Sequence, residues 1–257
     1  MERADGDLFG IGVSSACRFI NRVSRAIAAR RAEWISMPED LDQTKRAFFE
    51  KSEMPGVVGA IDGCHIPITC TSGDDAGLYY NRKRFYSINC QFICDDRSSV
   101  TNVVARWQGS VHDARIFENS NVKIKLENGE IEGILVGDSG YACKFYLLTP
   151  LRRPTTDPGQ RYNNAHARCR NVIERTFGLM KQRFQCVKYP IRLRLDNALP
   201  TIVAVSVLHN IAVARNEPLP DPALDVPLDL NFQLNINQAE NEGGMAFRTA
   251  YIAQNFE

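Results

Sequence analysis

Residues 58–65 read VGAIDGCH and run an apolar strand straight into a carboxylate. The apolar and partly β-branched residues Val57–Ile61 favour a buried strand. Gly63, directly after Asp62, allows a kink before the apolar segment 66–69 continues. A carboxylate at the end of a buried strand is costly unless a cation meets it. We therefore expect a cationic partner beside Asp62.

Two further carboxylates lie in comparable positions. The apolar segment ILVG, residues 134–137, favours a buried strand that ends at Asp138. Glu174 lies in a helix predicted over residues 163–184, beside an apolar stripe at helical spacing. The stripe consists of Ile173, Phe177, Met180 and Phe184. Because the ends of neighbouring strands meet at one rim of a sheet, we expect the three carboxylates to converge there.

A single aspartate at a strand end is weak evidence, because aspartate is also favoured in turns and at helix N-termini. The inference depends on the set of three in the order strand, strand, helix. Carboxylates held close together repel one another, and a hard divalent cation with oxygen ligands relieves the repulsion. Two Mg²⁺ or Mn²⁺ ions about 3.5–4 Å apart are a known arrangement for phosphodiester cleavage. The set therefore predicts a metal-dependent site for that reaction.

The charge distribution indicates a polyanionic partner. The whole chain carries a formal net charge of +1, but residues 144–194 hold twelve Lys and Arg against Asp157 and Glu174, a net charge of +10. Residues 217–257 hold seven acidic residues against Arg248, a net charge of −6. A basic segment of this size is typical of a nucleic-acid site, although a solvated helix face carries similar runs. The acidic end is typical of a solvated interaction segment or one that shields the basic block.

The remaining pattern predicts an α/β chain. Alternating and β-branched segments predict an antiparallel meander. Its strands are expected within residues 57–69, 86–94 and 100–107. Helices are expected up to about Glu53 and over residues 112–119 and 199–214. Residues 215–245 are rich in Pro, Asn and acidic residues, so we expect much of that segment to be poorly ordered.

Residues 8–29 predict an amphipathic helix that follows a turn. Its apolar or small positions are Val13, Ala16, Ile20, Val23 and Ile27. The other side carries Ser14, Ser15, Arg18 and Arg22. Short polar residues and arginines are typical of the helix that enters the major groove in a helix-turn-helix unit, but a surface helix has the same pattern. The segment starts too late to supply the first helix of that unit, so residues 1–35 are predicted to be a partial helix-turn-helix.

The composition favours an ordinary globular protein inside the cell. Hydrophobic residues make up 44% of the chain and charged residues 24%. The start has no secretory pattern, and no apolar run is expected to approach the roughly 20 residues that span a bilayer. The eight cysteines are scattered singly and are expected to be reduced core thiols. Cys90 and Cys94 are the nearest approach to a metal pair, but no second pair follows at zinc-site spacing.

Six motifs occur in order between about residues 7 and 212. They are GAIDGCHIPI, YYNRKRFYSINCQFICD, WQGSVHDARIF, LVGDSGYACKFYLLTP, RYNNAHARCRNVIERTFGLMKQRF and VSVLHNIA. Together they resemble the PIF/Harbinger superfamily of DDE transposases and its domesticated, transposase-derived nucleases. The resemblance implies an RNase H-like α/β fold, a mixed sheet with flanking helices, in a DDE endonuclease domain over residues 57–212. Residues 213–257 are then expected to form an acidic, partly disordered tail.

The resemblance also implies roles for individual residues. It makes Asp62, Asp138 and Glu174 the catalytic carboxylates and ligands of a divalent cation, Mg²⁺ or Mn²⁺. It adds Asp113, from GSVHD at residues 109–113, as a further metal ligand, although an aspartate at a helix start is also a common N-terminal cap. The residues expected to follow the DNA backbone are Arg168, Arg170, Arg175, Lys181 and Arg183.

Other motif residues carry weaker predictions. The run Arg82–Arg84 is a second, smaller basic segment. His112 is expected either to orient Asp113 or a phosphate, or only to pack. His209 matches the family but lies in an apolar helix, so we expect a core histidine. DNA is the expected partner, members of the family commonly work with a Myb-like DNA-binding protein, and a homo-oligomer is left open. The expected location is the nucleus, with the cytoplasm also allowed.

Three functions compete at this stage. The leading hypothesis is a metal-dependent DNA endonuclease that descends from a transposase or still acts as one. The alternative is a catalytically silent DNA-binding or adaptor protein, which intact acids at all three positions argue against because their repulsion would need a metal ion. A phosphatase of small substrates fits the carboxylates but leaves the +10 segment without a purpose.

Overall fold

The computed structural model of the chain describes residues 10, 12–69, 74–219 and 241–257. The helices are α1 Val13–Ala29, α2 Arg31–Trp34, α3 Leu41–Ser52, α4 Asp113–Glu118, α5 Asn121–Glu127, α6 Asp157–Arg183, α7 Leu195–Ala214 and α8 Glu242–Phe256. The strands are β1 Val57–Pro67, β2 Ser87–Cys94, β3 Val100–Gln108, β4 Ile134–Val136 and β5 Leu147–Leu148. Short 3₁₀ turns occur at Asp74–Tyr79 and Gln185–Val187.

The strands form one mixed sheet in the order β3-β2-β1-β4-β5. The pairs β1–β2 and β2–β3 are antiparallel, which confirms the predicted meander. The pairs β1–β4 and β4–β5 are parallel. The mixed α/β class predicted from the sequence is therefore confirmed.

Helices cover both faces of the sheet. On one face, Phe48 of α3 and Ile173 of α6 belong to a large apolar cluster with β1 and β2 residues such as Ala60 and Phe92. On the other face, a smaller cluster joins Val122 and further residues of α4 and α5 to alternate strand residues. Burying apolar side chains on both faces is the main stabilising contribution to such a layered fold.

Several boundaries differ from the sequence predictions. The first strand does not end at Asp62, because β1 pairs with β2 from Ala60 through Pro67. Helix α6 begins at Asp157, six residues before the predicted start, because the Thr156 side chain accepts a hydrogen bond from Gly159 N–H and caps the helix. Helix α7 begins at Leu195 rather than residue 199, since Pro200 within it disguised the first turns. The elements α5 and β5 had no prediction.

The C-terminal segment is ordered where the structure describes it. Residues 242–256, assigned to the acidic tail, form α8, and Asn241 caps this helix through Gly243 N–H. Tyr251 and Phe256 pack against Tyr162 of α6 with ring centroids 6.4 and 5.7 Å away. These aromatic contacts add α8 to the main core. The expectation of poor order for residues 220–240 falls outside the described residues.

The N-terminal helix lies against the rest of the protein. Arg25 of α1 donates hydrogen bonds to Asp196 O at 2.8 Å and to Asn197 Oδ1 at 3.0 Å, both at the start of α7. Arg18 and Arg22 are exposed, as predicted. The structure thus confirms a helix in this segment, but it does not establish a helix-turn-helix unit.

The length of helix α7 contradicts the prediction that no apolar run approaches the length that spans a bilayer. Leu195–Ala214 is long and apolar enough, by length and composition alone, to cross a membrane, and half of it is buried in the protein. Core helices of soluble proteins pass the same test. His209 Nε2–H donates to Ser98 O at 2.8 Å and is fully buried, which confirms the predicted core histidine. Asn210 holds the backbone of Val100 and Trp34.

The described cysteines are all free thiols, as expected. Cys90 and Cys94 are buried on the same face of β2 within the large apolar cluster. Burial raises the pKa of both thiols, so neither is prepared to bind a cation. Cys70 lies outside the described residues.

Candidate active site

The strand register explains why Asp62 and Asp138 lie side by side. The last paired residues of the parallel strands β1 and β4 are Ala60 and Val136. Asp62 and Asp138 each lie two residues further along, so they reach the same level and the same side of adjacent chains. Neighbouring strands are about 4.8 Å apart. Gly140 N–H donates to Asp138 Oδ1 at 2.9 Å and fixes that carboxylate in the turn after β4.

Asp113 reaches this group because Gly63 has no side chain. A Cβ atom on Gly63 would lie 2.2 Å from Asp113 Oδ1, which is far inside van der Waals contact. Asn89 of β2 donates from Nδ2 to the same oxygen at 2.7 Å and to Val111 O at 2.8 Å, so it holds the start of α4 against the sheet. The GSVHD motif thus brings its aspartate directly beside the first carboxylate.

Arg170 lies between Glu174 and Asp62. Arg170 and Glu174 are four residues apart on α6 and therefore share one face of that helix. The Arg170 guanidinium donates to Asp62 Oδ2 at 2.9 Å and lies 3.8 Å from Glu174 Oε1. The cation expected beside Asp62 is thus present in the protein itself.

Burial and mutual repulsion disfavour charge on two of the aspartates. Burial raises the pKa of Asp62 to about 7, with Arg170 opposing the rise and Asp138 and Asp113 adding to it. Burial likewise raises the pKa of Asp113 to about 6, opposed by its hydrogen bond from Asn89 and increased by Asp138. The group is therefore short of positive charge even with one arginine in place.

Tyr141 adds an unsatisfied polar atom to the same place. Its hydroxyl is buried and has no hydrogen-bond partner among the described residues. Burial raises its pKa well above the usual value, and the charges of Asp113, Asp62 and Asp138 raise it further. A buried hydroxyl without a partner is uncommon and marks a place where a bound molecule or ion would find a ligand.

The carboxylates are near one another but are not arranged as a finished metal site. Across the part of the chain that the structure describes, no three His, Cys, Asp or Glu side chains could hold one metal ion as they stand. The chemistry of the donor set nevertheless fits Mg²⁺ or Mn²⁺, because carboxylate and hydroxyl oxygens are hard ligands. The unsatisfied Tyr141 hydroxyl among the aspartates agrees with that fit.

The basic residues predicted to follow DNA are dispersed around α6. Arg170 is buried and paired with Asp62, so the structure places it in the acidic group rather than on the exposed surface of α6. Three others already have protein partners: Arg168 pairs with Glu53, Arg175 contacts Ser98 and Arg183 donates to Glu217 O. Lys181 lies on the same face of α6 as Arg170 and Glu174, seven residues beyond the latter.

Sequence reasoning missed three residues of the site. They are Arg170 as the internal cation, Asn89 as the holder of Asp113, and Tyr141. The spacing of Arg170 and Glu174 was a usable signal, since residues four apart on a helix share a face. The position of Asn89 depends on the register of β1 and β2, where Asn89 pairs with His65, and a sequence does not reveal that register.

The fold is a mixed sheet covered by helices, with Asp62 on one strand, Asp138 in the turn after the adjacent parallel strand and Glu174 on a covering helix. Residues 61–210 match the family described as DDE superfamily endonuclease. The chain therefore belongs to that family, and the membership that the motifs implied is confirmed.

Curated relatives agree with this placement. The chain is 34% identical over 215 residues to a human protein named "Putative nuclease HARBI1", covering 81% of this chain and 61% of that protein. It is 25% identical over 261 residues to "Protein ALP1-like" of Arabidopsis thaliana, covering 95% of this chain and 64% of the relative. The chain thus spans less than two thirds of the length of these relatives. No solved structure matches it.

Proposed function

We propose that the protein is a divalent-metal-dependent DNA endonuclease of transposase origin. Asp62, Asp138 and Glu174 are the catalytic carboxylates, and Asp113 is a further metal ligand. The observation that supports this most strongly is the convergence of three aspartates from separate segments beside Arg170, together with a pKa of about 7 for Asp62. Carboxylates gathered with too little positive charge are a site prepared for more cations.

The proposed division of labour follows from the positions of the side chains. Asp62, Asp113 and Asp138 would hold Mg²⁺ or Mn²⁺, with Glu174 joining when Arg170 moves away. When bound, the ions supply Lewis-acid polarisation of the phosphodiester and lower the pKa of the attacking water. The chain itself supplies orientation: the Gly140 N–H fixes Asp138 and the Asn89 amide fixes Asp113.

The finer features that the family implies belong to this proposal. The fold is of the RNase H-like kind, the endonuclease domain covers residues 57–212, and residues 1–35 belong to a DNA-binding segment of the helix-turn-helix kind. Residues 213–257 are an acidic appendage. The substrate is DNA, the location is the nucleus and also the cytoplasm, and a Myb-like protein is the partner. Arg168, Arg175, Lys181 and Arg183 contribute to the basic surface of α6.

Nicking of supercoiled plasmid tests the proposal. The full chain is incubated with Mg²⁺ or Mn²⁺ and compared with Asp138→Ala and with Asp42→Ala, an exposed aspartate on α3 that serves as the matched control. We expect nicking by the unaltered chain and by Asp42→Ala, and its loss in Asp138→Ala and in EDTA. Equal nicking by Asp138→Ala, or no nicking by the unaltered chain, would contradict the proposal.

A catalytically silent DNA-binding adaptor is the second candidate, and one observation favours it. A metal ion is not the only cation that relieves the repulsion of the acids, because Arg170 already neutralises part of it. A site that an arginine stabilises can persist without catalysis. DNA binding by the unaltered chain without any metal-dependent nicking would select this candidate.

A further inference from the structure

The second half of β1 has one unpaired edge. Strand β4 ends at Val136, opposite Ala60, whereas β1 continues to Pro67. In the described part of the chain, the next segment bonded to this edge of β1 contains Ile191, whose N–H donates to Pro67 O at 2.9 Å. Among the described residues, the stretch from Asp62 to Ile66 therefore has no paired strand on the β4 side, and this free edge begins at the carboxylates.

A basic hairpin lies near this stretch of β1, beside His65. Residues 80–86 form a tight loop in which Asn81 N–H donates to Phe85 O at 3.0 Å and the Asn81 side chain donates to Ser87 Oγ at 2.8 Å. Arg84 takes a left-handed backbone conformation, with φ 66°, at the turn. The loop places Arg82, Lys83 and Arg84 in solvent.

Contacts fix the position of this hairpin beside the active site. Arg82 contacts the ring of His112, which directly precedes Asp113. The Phe85 ring lies edge-on to His65, with centroids 6.4 Å apart, and His65 Nδ1 lies 3.0 Å from Ser87 Oγ. The hairpin therefore lies next to His65 and the start of α4.

Lys181 approaches the same place from the opposite side. It follows Arg170 and Glu174 on one face of α6 and lies three turns beyond Arg170. Burial lowers the pKa of the His65 imidazole to about 4, and the charges of Lys83, Arg82 and Lys181 lower it further. Cations from both layers of the protein thus gather around His65, whereas the carboxylates gather around Asp62.

We propose that a DNA strand runs along the free edge of β1 from the carboxylates towards His65, where Lys181 and the basic hairpin bind the phosphates next to the one that is cleaved. This assignment rests on the proposed nuclease function and adds to it the path and direction of the substrate. Phosphates beyond the cleaved one carry full charge and meet Lys181, Lys83 and Arg84 as exposed or half-buried cations. The basic residues on the other faces of α6 are not needed for this path.

Binding measurements with substituted lysines test the path. The full chain is titrated into a short fluorescein-labelled duplex without divalent metal, and anisotropy gives Kd over a series of salt concentrations. The variants are Lys83→Ala, Lys181→Ala and the double variant, with Lys125→Ala on the exposed side of α5 as the matched control. Lys83→Arg and Lys181→Arg keep the charge and test for rescue. Arg82 is left unchanged because it contacts His112.

A lysine that neutralises one DNA phosphate adds about 0.9 to the slope of log Kd against log salt. We therefore expect Lys83→Ala and Lys181→Ala each to bind more weakly, with a slope reduced by about 0.9, and the double variant to lose about twice that. Lys125→Ala and the two arginine variants should keep the Kd and the slope of the unaltered chain. Unchanged Kd and slope in Lys83→Ala and Lys181→Ala, or an equal effect of Lys125→Ala, would overturn the path. Since no metal is present, this result is independent of the plasmid assay, in which only the carboxylate variants decide the nuclease proposal.

Discussion

The guanidinium of Arg170 lies 2.9 Å from the carboxylate of Asp62, with side chains only 7% and 17% exposed. The same guanidinium lies 3.8 Å from Glu174. One buried cation thus stands between the first and third carboxylates of the proposed triad. It stabilises the acidic group when no metal is bound, and it must give way for Glu174 to share an ion with Asp62.

Removing this cation should destabilise the metal-free protein. Arg170→Gln leaves Asp62 buried without its partner, and breaking a buried ion pair from one side costs about 3 kcal/mol of unfolding free energy. Arg168→Gln is the matched control, because it breaks the exposed pair between Arg168 and Glu53, where the cost is at most about 1 kcal/mol. Urea denaturation at pH 8 in EDTA measures both.

Divalent metal should reduce the difference in unfolding free energy between Arg170→Gln and the unaltered chain. Added Mg²⁺ or Mn²⁺ supplies the charge that Arg170→Gln removed, so the variant should gain more stability from the metal than the unaltered chain does. If Arg170→Gln proves no less stable than Arg168→Gln, the ion pair is not the support of the acidic group that its burial indicates.

The raised pKa of Asp62 predicts a pH dependence with a definite sign. The folded protein holds this proton up to about pH 7, whereas the unfolded chain releases it near the ordinary value of 3.8. Stability contributed by this group is therefore present below about pH 4 and lost as the pH rises through 7. The unfolding free energy of Asp62→Asn, relative to that of the unaltered chain, should therefore rise as the pH is raised from 4 to 7, by an amount on the order of a few kcal/mol.

The pH dependence of the unfolding free energy must be compared between a variant and the unaltered chain, because other groups titrate in the opposite direction. Burial lowers the pKa of His65 to about 4 and that of His166 to about 3, and their contributions are lost as the pH falls below about 6.5. Asp42→Asn, at an exposed position paired with Lys45, should show no change between pH 5 and 8. A flat difference for Asp62→Asn as well would refute the raised pKa.

Gly63 should be intolerant of a side chain for a reason that concerns the site. In Gly63→Ala the new Cβ would lie 2.2 Å from Asp113 Oδ1, so the aspartate must leave its place beside Asn89. We expect metal-dependent nicking to fall by about tenfold or more, as when the support of a metal ligand is removed. Gly77→Ala, where a Cβ meets nothing within 4 Å, should nick normally. Full activity in Gly63→Ala would show that Asp113 is not needed where it lies.

The approach of Asp62 and Asp138 to each other could be predicted from the sequence. Asp62 and Asp138 were predicted to meet because each follows an apolar strand, and the parallel register of β1 and β4 brings them to the same level. The burial of Arg170 could not be predicted, because a basic segment on a long helix gives charge but not the direction in which each side chain points. Only packing shows that Arg170 faces the sheet while Arg168 faces Glu53.

Other features depended on contacts between distant residues. The approach of Asp113 requires both the missing side chain of Gly63 and the amide of Asn89, which come from two strands. Helix α8 was hidden in an acidic segment because its order comes from Tyr251 and Phe256 packing on Tyr162, about 90 residues earlier in the chain. Such contacts decide local structure without leaving a local pattern.

The proposed function requires that the aspartates gathered beside Arg170 bind divalent ions. Titration of Mn²⁺ into the full chain, with free Mn²⁺ followed by electron paramagnetic resonance, measures this without relying on activity. We expect binding by the unaltered chain and by Asp42→Asn, and an affinity weaker by about tenfold or more in Asp138→Asn. Equal Mn²⁺ affinity in Asp138→Asn and the unaltered chain, or no binding by either, would contradict it.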